Sequence, residues 1–317
     1  MFNIAIMSTV MYASLLVLMS IGFTFTHKLE RFPNFAHVSF ASIGTLFVYS
    51  LVRIWGYSPY PSLVLSAMLN GFVGVGMYLI LVRPMDEAGT SSIHKSFAMY
   101  ALSYVITTIL LMYSYWILDT FHFQTYGFVI RRFDIILFGL PGILVVAPIL
   151  SVILVVSIHL FLTRSRLGIA VRATAENSKL ASSLGVNIFQ IHLLSWFIGG
   201  ALAGFAGGAL SLWQATNLNN PDSLMVNILA SSILGGLDSI YGSILGGVFI
   251  AFTQRMLPTL LMRVFGVWIA WWTGIIPIAV IVLVQLIIPE GIGGLFTGQN
   301  PAQRLRTWFK RNFNRKP

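Results

Sequence analysis

"IAIMSTVMYASLLVLMSIGFTFT" occupies residues 4–26, a run without one charged side chain. A helix rises 1.5 Å per residue and the hydrocarbon core of a bilayer is about 30 Å thick, so roughly 20 such residues cross it. No basic residue precedes the run, no small-residue cleavage site follows it, and it is longer than the apolar core of a secretory leader. It reads as a first membrane span, retained in the mature protein.

The pattern continues outward from there. Of 317 residues, 57% are hydrophobic and only 9% are charged, and the mean hydropathy is +0.84. A soluble domain carries about a quarter charged residues, so this chain cannot cover itself with a water-compatible surface. There is no cysteine, which removes disulfides, thiolate metal sites and cysteine nucleophiles.

Apolar segments at 4–26, 35–54, 61–82, 96–118, 142–162, 188–212, 223–237, 240–257 and 264–288 predict an all-α polytopic membrane protein. The expected architecture is about 8–10 transmembrane or half-membrane helices. Residues 1–303 form one transmembrane domain and 304–317 a basic tail. The seventh and eighth segments are short and meet at "LGGLDSIYGSILGG", as two tilted spans or one re-entrant hairpin. Residues 133–140 suggest a further half-helix.

Lysine and arginine placement sets orientation, because cytoplasmic segments carry the excess. With the N-terminus outside, 14 of the 19 Lys and Arg fall inside, including six in the tail from Arg304 onward. Arg53, Arg131, Arg132, Arg255 and Arg263 stay outside. The net charge of +10 thus follows membrane topology and does not call for nucleic acid. The tail serves as a topology signal or lies along anionic headgroups of the bilayer.

The nine acidic residues lie outside the apolar runs, with Asp238 alone in an apolar neighbourhood. An ion-coupled carrier places carboxylates inside the bilayer, where their cost implies a function. His159, alone in "VVSIHLFL", reads as an interhelical hydrogen-bonding residue. No HExxH, GxSxG or paired-carboxylate arrangement is present, so an enzyme has little support, and there is no metal-ligand set. No GxxxxGK[ST] occurs either, so the chain has no P-loop of its own.

One polar island interrupts the spans: "VRATAENSKLASSLGVN", residues 171–187. Thr174 is placed to cap a short helix with Glu176 in its first turn, and Leu180 and Leu184 share one face. Gly185 suits the left-handed position that ends a helix, and Asn187 caps the next span with Gln190 three residues on. Such a helix is marginal alone. Its apolar stripe packs on its own bundle or meets a cytosolic partner.

Four stretches resemble, in order, the permease subunits of branched-chain amino-acid ABC transporters. They are "PNFAHVSFASIGTLF" (33–47), "SRLGIAVRATAENSKLASSLGVN" (165–187), "ILGGLDSIYGSILGG" (233–247) and "PEGIGG" (289–294). The Asn-Phe-Ala-His form points to the subunit type that pairs with a second, related permease. Two departures are Val38 and Asp238, where the family often has Gly. The resemblance implies an importer built from two permease subunits, two cytosolic ABC ATPases and an extracytoplasmic substrate-binding protein, in a cell membrane. ATP and Mg would sit on the ATPases, with no cofactor on this chain. Segment 164–187 would be the coupling element, with Arg172, Glu176, Asn177, Leu180, Leu184, Gly185 and Asn187 facing the ATPase.

Two groups are candidates for the translocation path. Asn34, Phe35, His37 and Ser39 begin the second span, where a broken helix would free backbone groups to line a cavity. Asn34 is equally placed to cap that helix. Gly235, Gly236, Asp238, Ser239 and Gly242 form the second group, with close helix packing as the alternative. Gly200, Gly204 and Gly208 read as packing or a permease–permease interface. The expected cargo is branched-chain or other hydrophobic amino acids. Urea or short amides fit the same architecture, and a free-standing channel or facilitator is the reading from another class.

Overall fold

The computed structural model of the protein describes residues 2–125, 127–216, 222–272, 274–287 and 291–293. Apolar content dictates the elements: with no water in the hydrocarbon, each segment must satisfy its backbone internally, and helices do so. The chain runs α1 (Phe2–Glu30), α2 (His37–Arg53), α3 (Pro59–Met77) and α4 (Arg83–Glu87). It continues with α5 (Ser92–Phe121), α6 (Ile143–Arg164), α7 (Arg166–Glu176), α8 (Ser178–Ser183) and α9 (Ile188–Leu210). Last come α10 (Asp222–Gly235), α11 (Ile240–Phe265) and α12 (Ile275–Ile287). Six helices among the described residues are long and apolar enough to cross a membrane. The chain is a multi-pass, all-α membrane protein.

α3 and α4 are one continuous rod, joined by a π-turn over Tyr78–Val82. α2, α10 and α12 are shorter. α10 has 14 residues, about 21 Å at 1.5 Å per residue, and does not cross 30 Å of hydrocarbon alone. It pairs with α11, which is 26 residues long, so segment 223–257 is one half-length helix against one full-length helix. α11 runs on through Pro258 and stops at Gly266, where φ is +96°. A 3₁₀ turn, Val267–Trp272, then precedes α12. The ninth apolar segment is therefore a shorter helix than its hydropathy suggests.

Residues 133–140 are not a half-helix. A 3₁₀ turn (Arg131–Phe133) leads into an antiparallel hairpin of β1 (Ile136–Leu137) and β2 (Leu140–Pro141). Phe138 and Gly139 at its tip both have positive φ, +51° and +75°, as a two-residue primed turn requires. The tail 304–317 and part of "PEGIGG" lie outside the described residues.

α9 is the axis of the bundle, packed on α1, α2 and α3, and α1 in turn packs on α6, α10 and α11. Its small-residue face permits this. Gly44 of α2 lies against the Gly204 backbone of α9, and a Cβ at Gly44 would penetrate that peptide. A Cβ at Gly204 would in turn overlap the Asn70 side chain of α3, 2.5 Å from its Cβ. Thr45 bridges the same crossing, donating to the Gly207 carbonyl at 2.8 Å. Gly200, Gly204 and Gly208 thus serve packing within this chain.

We expect Gly44→Ala to lower the thermal midpoint in detergent, at a cost of about 1–3 kcal/mol for overpacking. Gly76→Ala, in the same bundle but facing open space, should be neutral or slightly stabilising. Size-exclusion thermal melts of the two variants check the contrast.

Candidate functional site

The polar island is built from three N-caps in succession. Ser165 Oγ accepts from the Gly168 amide at 2.9 Å and starts α7. Asn177 Oδ1 accepts from the Leu180 amide at 3.0 Å and starts α8, and Asn187 Oδ1 accepts from the Gln190 amide at 3.2 Å and starts α9. Each cap satisfies an orphan donor at a helix start. Gly185, at φ +86°, makes the left-handed turn after α8, where Val186 N–H reaches the Ala181 carbonyl at 3.1 Å.

The expected helix start at Thr174 is corrected by this arrangement. Thr174 lies inside α7 and donates to the Ala170 carbonyl at 2.8 Å, and Glu176 is the last residue of that helix. The reason is competition between caps. Ser165 nucleates the helix earlier, and the extended backbone of Asn177 (φ −153°, ψ 99°) ends it.

The island's apolar residues divide between buried and exposed positions. Val171 of α7 is buried with Phe25, Leu162 and Ile191, which anchors the island to α1, α6 and α9. On α8, Ala181 is buried but Leu180 and Leu184 are 59% and 76% exposed. Arg172, Glu176, Asn177, Gly185 and Asn187 are exposed as well. The seven residues expected to face a partner therefore lie on accessible surface, and two of them are large apolar side chains held on a capped frame.

The island sits at the same end of the bundle as the C-terminus of α1. Arg31, at φ +58°, donates from Nη2 to the Ala175 carbonyl at 2.5 Å and pairs from Nη1 with Asp238 at 3.0 Å. Asp238 thus lies in the α10–α11 turn, exposed and ion-paired. Ser239 is the cap of α11, accepting from the Gly242 amide at 3.0 Å. Gly235 and Gly242 abut backbone to backbone where α10 meets α11.

Beside Arg31, Glu30 turns inward. Its side chain is only 2% exposed, and its Oε1 accepts from Trp196 Nε1 at 2.8 Å and His192 Nδ1 at 2.6 Å, both on α9. The His192 ring stacks on Tyr78, 5.5 Å between centroids and 1° from parallel, at the π-turn of the α3–α4 rod. Lys95 of α5 pairs with Asp86 and stands over the Phe32 ring. Two adjacent residues, Glu30 at the end of α1 and Arg31 just after it, thus fasten α9, the island and the α10–α11 turn. Sequence reading passed over Glu30 because it falls outside an apolar run. The available signal was His192 and Trp196, one helical turn apart.

The other candidate group lies deeper. His37, the first residue of α2, is fully buried, and its Nε2 donates to the Met19 carbonyl of α1 at 3.0 Å. Met19 is eleven residues before the end of α1, about 16 Å back along its axis at 1.5 Å per residue. Residues 31–36 therefore climb into the bundle as irregular backbone before α2 begins. Asn34 is buried there, its Oδ1 accepting from the Ala36 amide at 3.0 Å, so it orders the helix start. Asn34 Nδ2, His37 Nδ1 and Ser39 Oγ are buried without a protein partner, and Phe35 is half-buried beside them. Buried polar groups left unpaired are uncommon and costly. His37 meets α1 at Met19, and on α10 Ser232, one turn before Gly235 and Gly236, donates to the Ser20 carbonyl at 3.4 Å. His159 is an interhelical residue, its Nδ1 2.8 Å from the Tyr241 hydroxyl.

Glu30→Ala removes the acceptor of two buried donors. We expect a loss of about 3–5 kcal/mol, the scale for breaking a buried pair. Glu30→Gln, which keeps an acceptor oxygen, should lose less, and detergent melts of the two variants measure the difference.

Residues 5–285 match the family described as "Branched-chain amino acid transport system / permease component". The chain is 32% identical over 286 residues to the "Probable branched-chain amino acid transport permease protein LivH" of Methanocaldococcus jannaschii, covering 90% of each chain. It is 26% identical to the "High-affinity branched-chain amino acid transport system permease protein BraD" of Pseudomonas aeruginosa, over 87% of this chain and 91% of that one. Similarity to the corresponding LivH protein of Escherichia coli K12 is 30% over 46% of each chain. No solved structure matches. With the membrane-spanning bundle, these matches make the chain a member of the branched-chain amino acid permease family and a transport permease subunit.

Proposed function

We propose that this chain is the permease subunit of an ABC importer for branched-chain or other hydrophobic amino acids, coupled to separate cytosolic ATPases through α7 and α8. The single observation that carries this reading is the pair Leu180 and Leu184, 59% and 76% exposed on a frame fixed by three caps. Large apolar side chains held rigid at the end of a membrane bundle suit a pocket on a soluble partner, and desolvated anchors of this kind dominate interface energies. Arg172 and Glu176 flank them and set orientation.

The remaining assembly follows from the same reading. A second, related permease completes the pathway, and an extracytoplasmic binding protein delivers cargo. ATP and Mg reside on the ATPases, and energy enters this chain as motion of the island. Orientation is inferred from charge: the end bearing the island also holds Lys28, Arg31, Arg83, Lys95, Arg164, Arg166 and Lys179, which favours the cytoplasmic side. The cargo is inferred from the relatives' names and from the apolar, weakly charged interior. The buried, unpaired polar atoms of Asn34, His37 and Ser39 support a place for that segment on the path.

Co-purification with the ATPase tests the coupling. Leu184→Asp and Glu176→Arg should insert in the membrane normally and reduce ATPase recovery at least tenfold, a change of about 1.4 kcal/mol. Recovery equal to wild type would return the island to internal packing. Uptake by this chain alone would favour the facilitator.

A further inference from the structure

At the end of the bundle opposite the island, residues 124–125 and 127–133 lie beside the C-terminal end of α2 and border an open cavity of about 200 Å³. Tyr49, Arg53, Gln124, Val129, Arg132 and Phe133 supply its polar and apolar walls. That segment is pinned on both sides. Tyr49 donates its hydroxyl to the Gln124 carbonyl at 2.7 Å. The Ile130 amide donates to the Ser211 carbonyl at 3.0 Å, and the Thr216 amide to the Phe128 carbonyl at 3.2 Å. The Phe128 ring lies 4.1 Å from that of Tyr49. The cavity is therefore a built feature, tied to α2 and to the segment that follows α9.

Its charge is unbalanced. The ion pairs Arg31–Asp238, Arg83–Glu87, Lys95–Asp86 and His192–Glu30 lie at the island end. Among the described residues, Arg53, Arg131 and Arg132 have no carboxylate partner. Arg53 instead rests on the faces of Phe123 and Phe133, 4.4 and 5.5 Å from their centroids, and Arg131 on Trp213 at 4.2 Å. The adjacent acid does not serve them: Asp134 accepts from the Tyr60 hydroxyl at 2.6 Å through Oδ1 and from the Ile143 amide at 3.0 Å through Oδ2. A guanidinium held over aromatic rings is pre-organised, so less freedom is lost when an anion docks.

We propose that this cavity is a carboxylate-binding site, in which Arg53 and Arg132 hold the carboxylate while Val129 and Phe133 accept apolar substituents. A planar fork matches a carboxylate with two parallel hydrogen bonds. No acidic residue lines the cavity, which disfavours a cation. Drug-sized ligands occupy about 300–1,000 Å³, so this smaller space suits one amino acid or one side chain. The site rests on the importer reading, which supplies two sources of that chemistry at this end. One is the α-carboxylate of a free hydrophobic amino acid. The other is an Asp or Glu side chain on the delivering protein.

The test uses the whole transport complex in nanodiscs, as wild type, Arg53→Gln, Arg132→Gln and Arg53→Lys. One arm measures equilibrium binding of leucine and of leucinamide, which lacks the carboxylate. The other measures capture of the binding protein. We expect the Gln variants to weaken leucine binding at least tenfold with leucinamide unchanged, and the Lys variant to fall between. A loss confined to capture also supports the site and assigns the carboxylate to the delivering protein. Unchanged leucine binding together with unchanged capture in both Gln variants overturns it. Equal losses for leucine and leucinamide overturn it too, since they report a packing defect. ATPase recovery is scored in parallel: if the wild type recovers none, the importer reading fails, whatever the arginine variants do.

Discussion

The crossing of Gly44 over Gly204 is the contact on which the rest of the bundle depends. Lipid tails are as apolar as leucine, so helices in a membrane gain nothing from burying oil alone and must pack closely or exchange hydrogen bonds. This crossing does both, with backbone against backbone and Thr45 donating to the Gly207 carbonyl. It seats α2 on α9, with α3 and α5 as its other main neighbours. That placement lets His37 meet the Met19 carbonyl and lets residues 32–36 remain irregular, with Phe32, Asn34 and Ala36 buried in protein.

The fold was legible where a single rule governs. Continuous apolar runs gave the long helices because a bilayer admits few alternatives, and Gly185 and Asn187 did what their conformational preferences require. The family was legible because "PNFAHVSF" and "LGGLDSIYGS" keep order and spacing over much of the chain. Legibility failed where two local signals compete. Thr174 and Asn177 both cap well, and only the earlier start at Ser165 decides between them. In residues 133–140, hydropathy suggested a helix, but a Phe138–Gly139 turn with two positive φ angles won.

Part of the candidate site was invisible for another reason. Glu30 and Arg31, His192, and Asp238 come from three places in the chain, and their meeting is a product of tertiary structure. A carboxylate at the end of an apolar run looks like a boundary residue. Its burial against Trp196 becomes visible only when α9 is in place. The exposed leucines of α8 pose the converse problem, since a stripe of Leu180 and Leu184 reads identically whether it is covered or bare.

The buried start of α2 also bears on how the chain is made. α2 carries His37, Ser39, Ser42, Thr45 and Ser50 on a helix of 17 residues, and Thr45 shares its proton with a carbonyl 162 positions further on. A ribosome delivers α2 long before α9 exists. Until then Gly44 and Thr45 lack the helix against which they pack. The final seat of α2 forms after roughly two-thirds of the protein has been synthesised. The packing of this subunit is therefore not completed span by span: an early segment takes its final place only when a late one arrives.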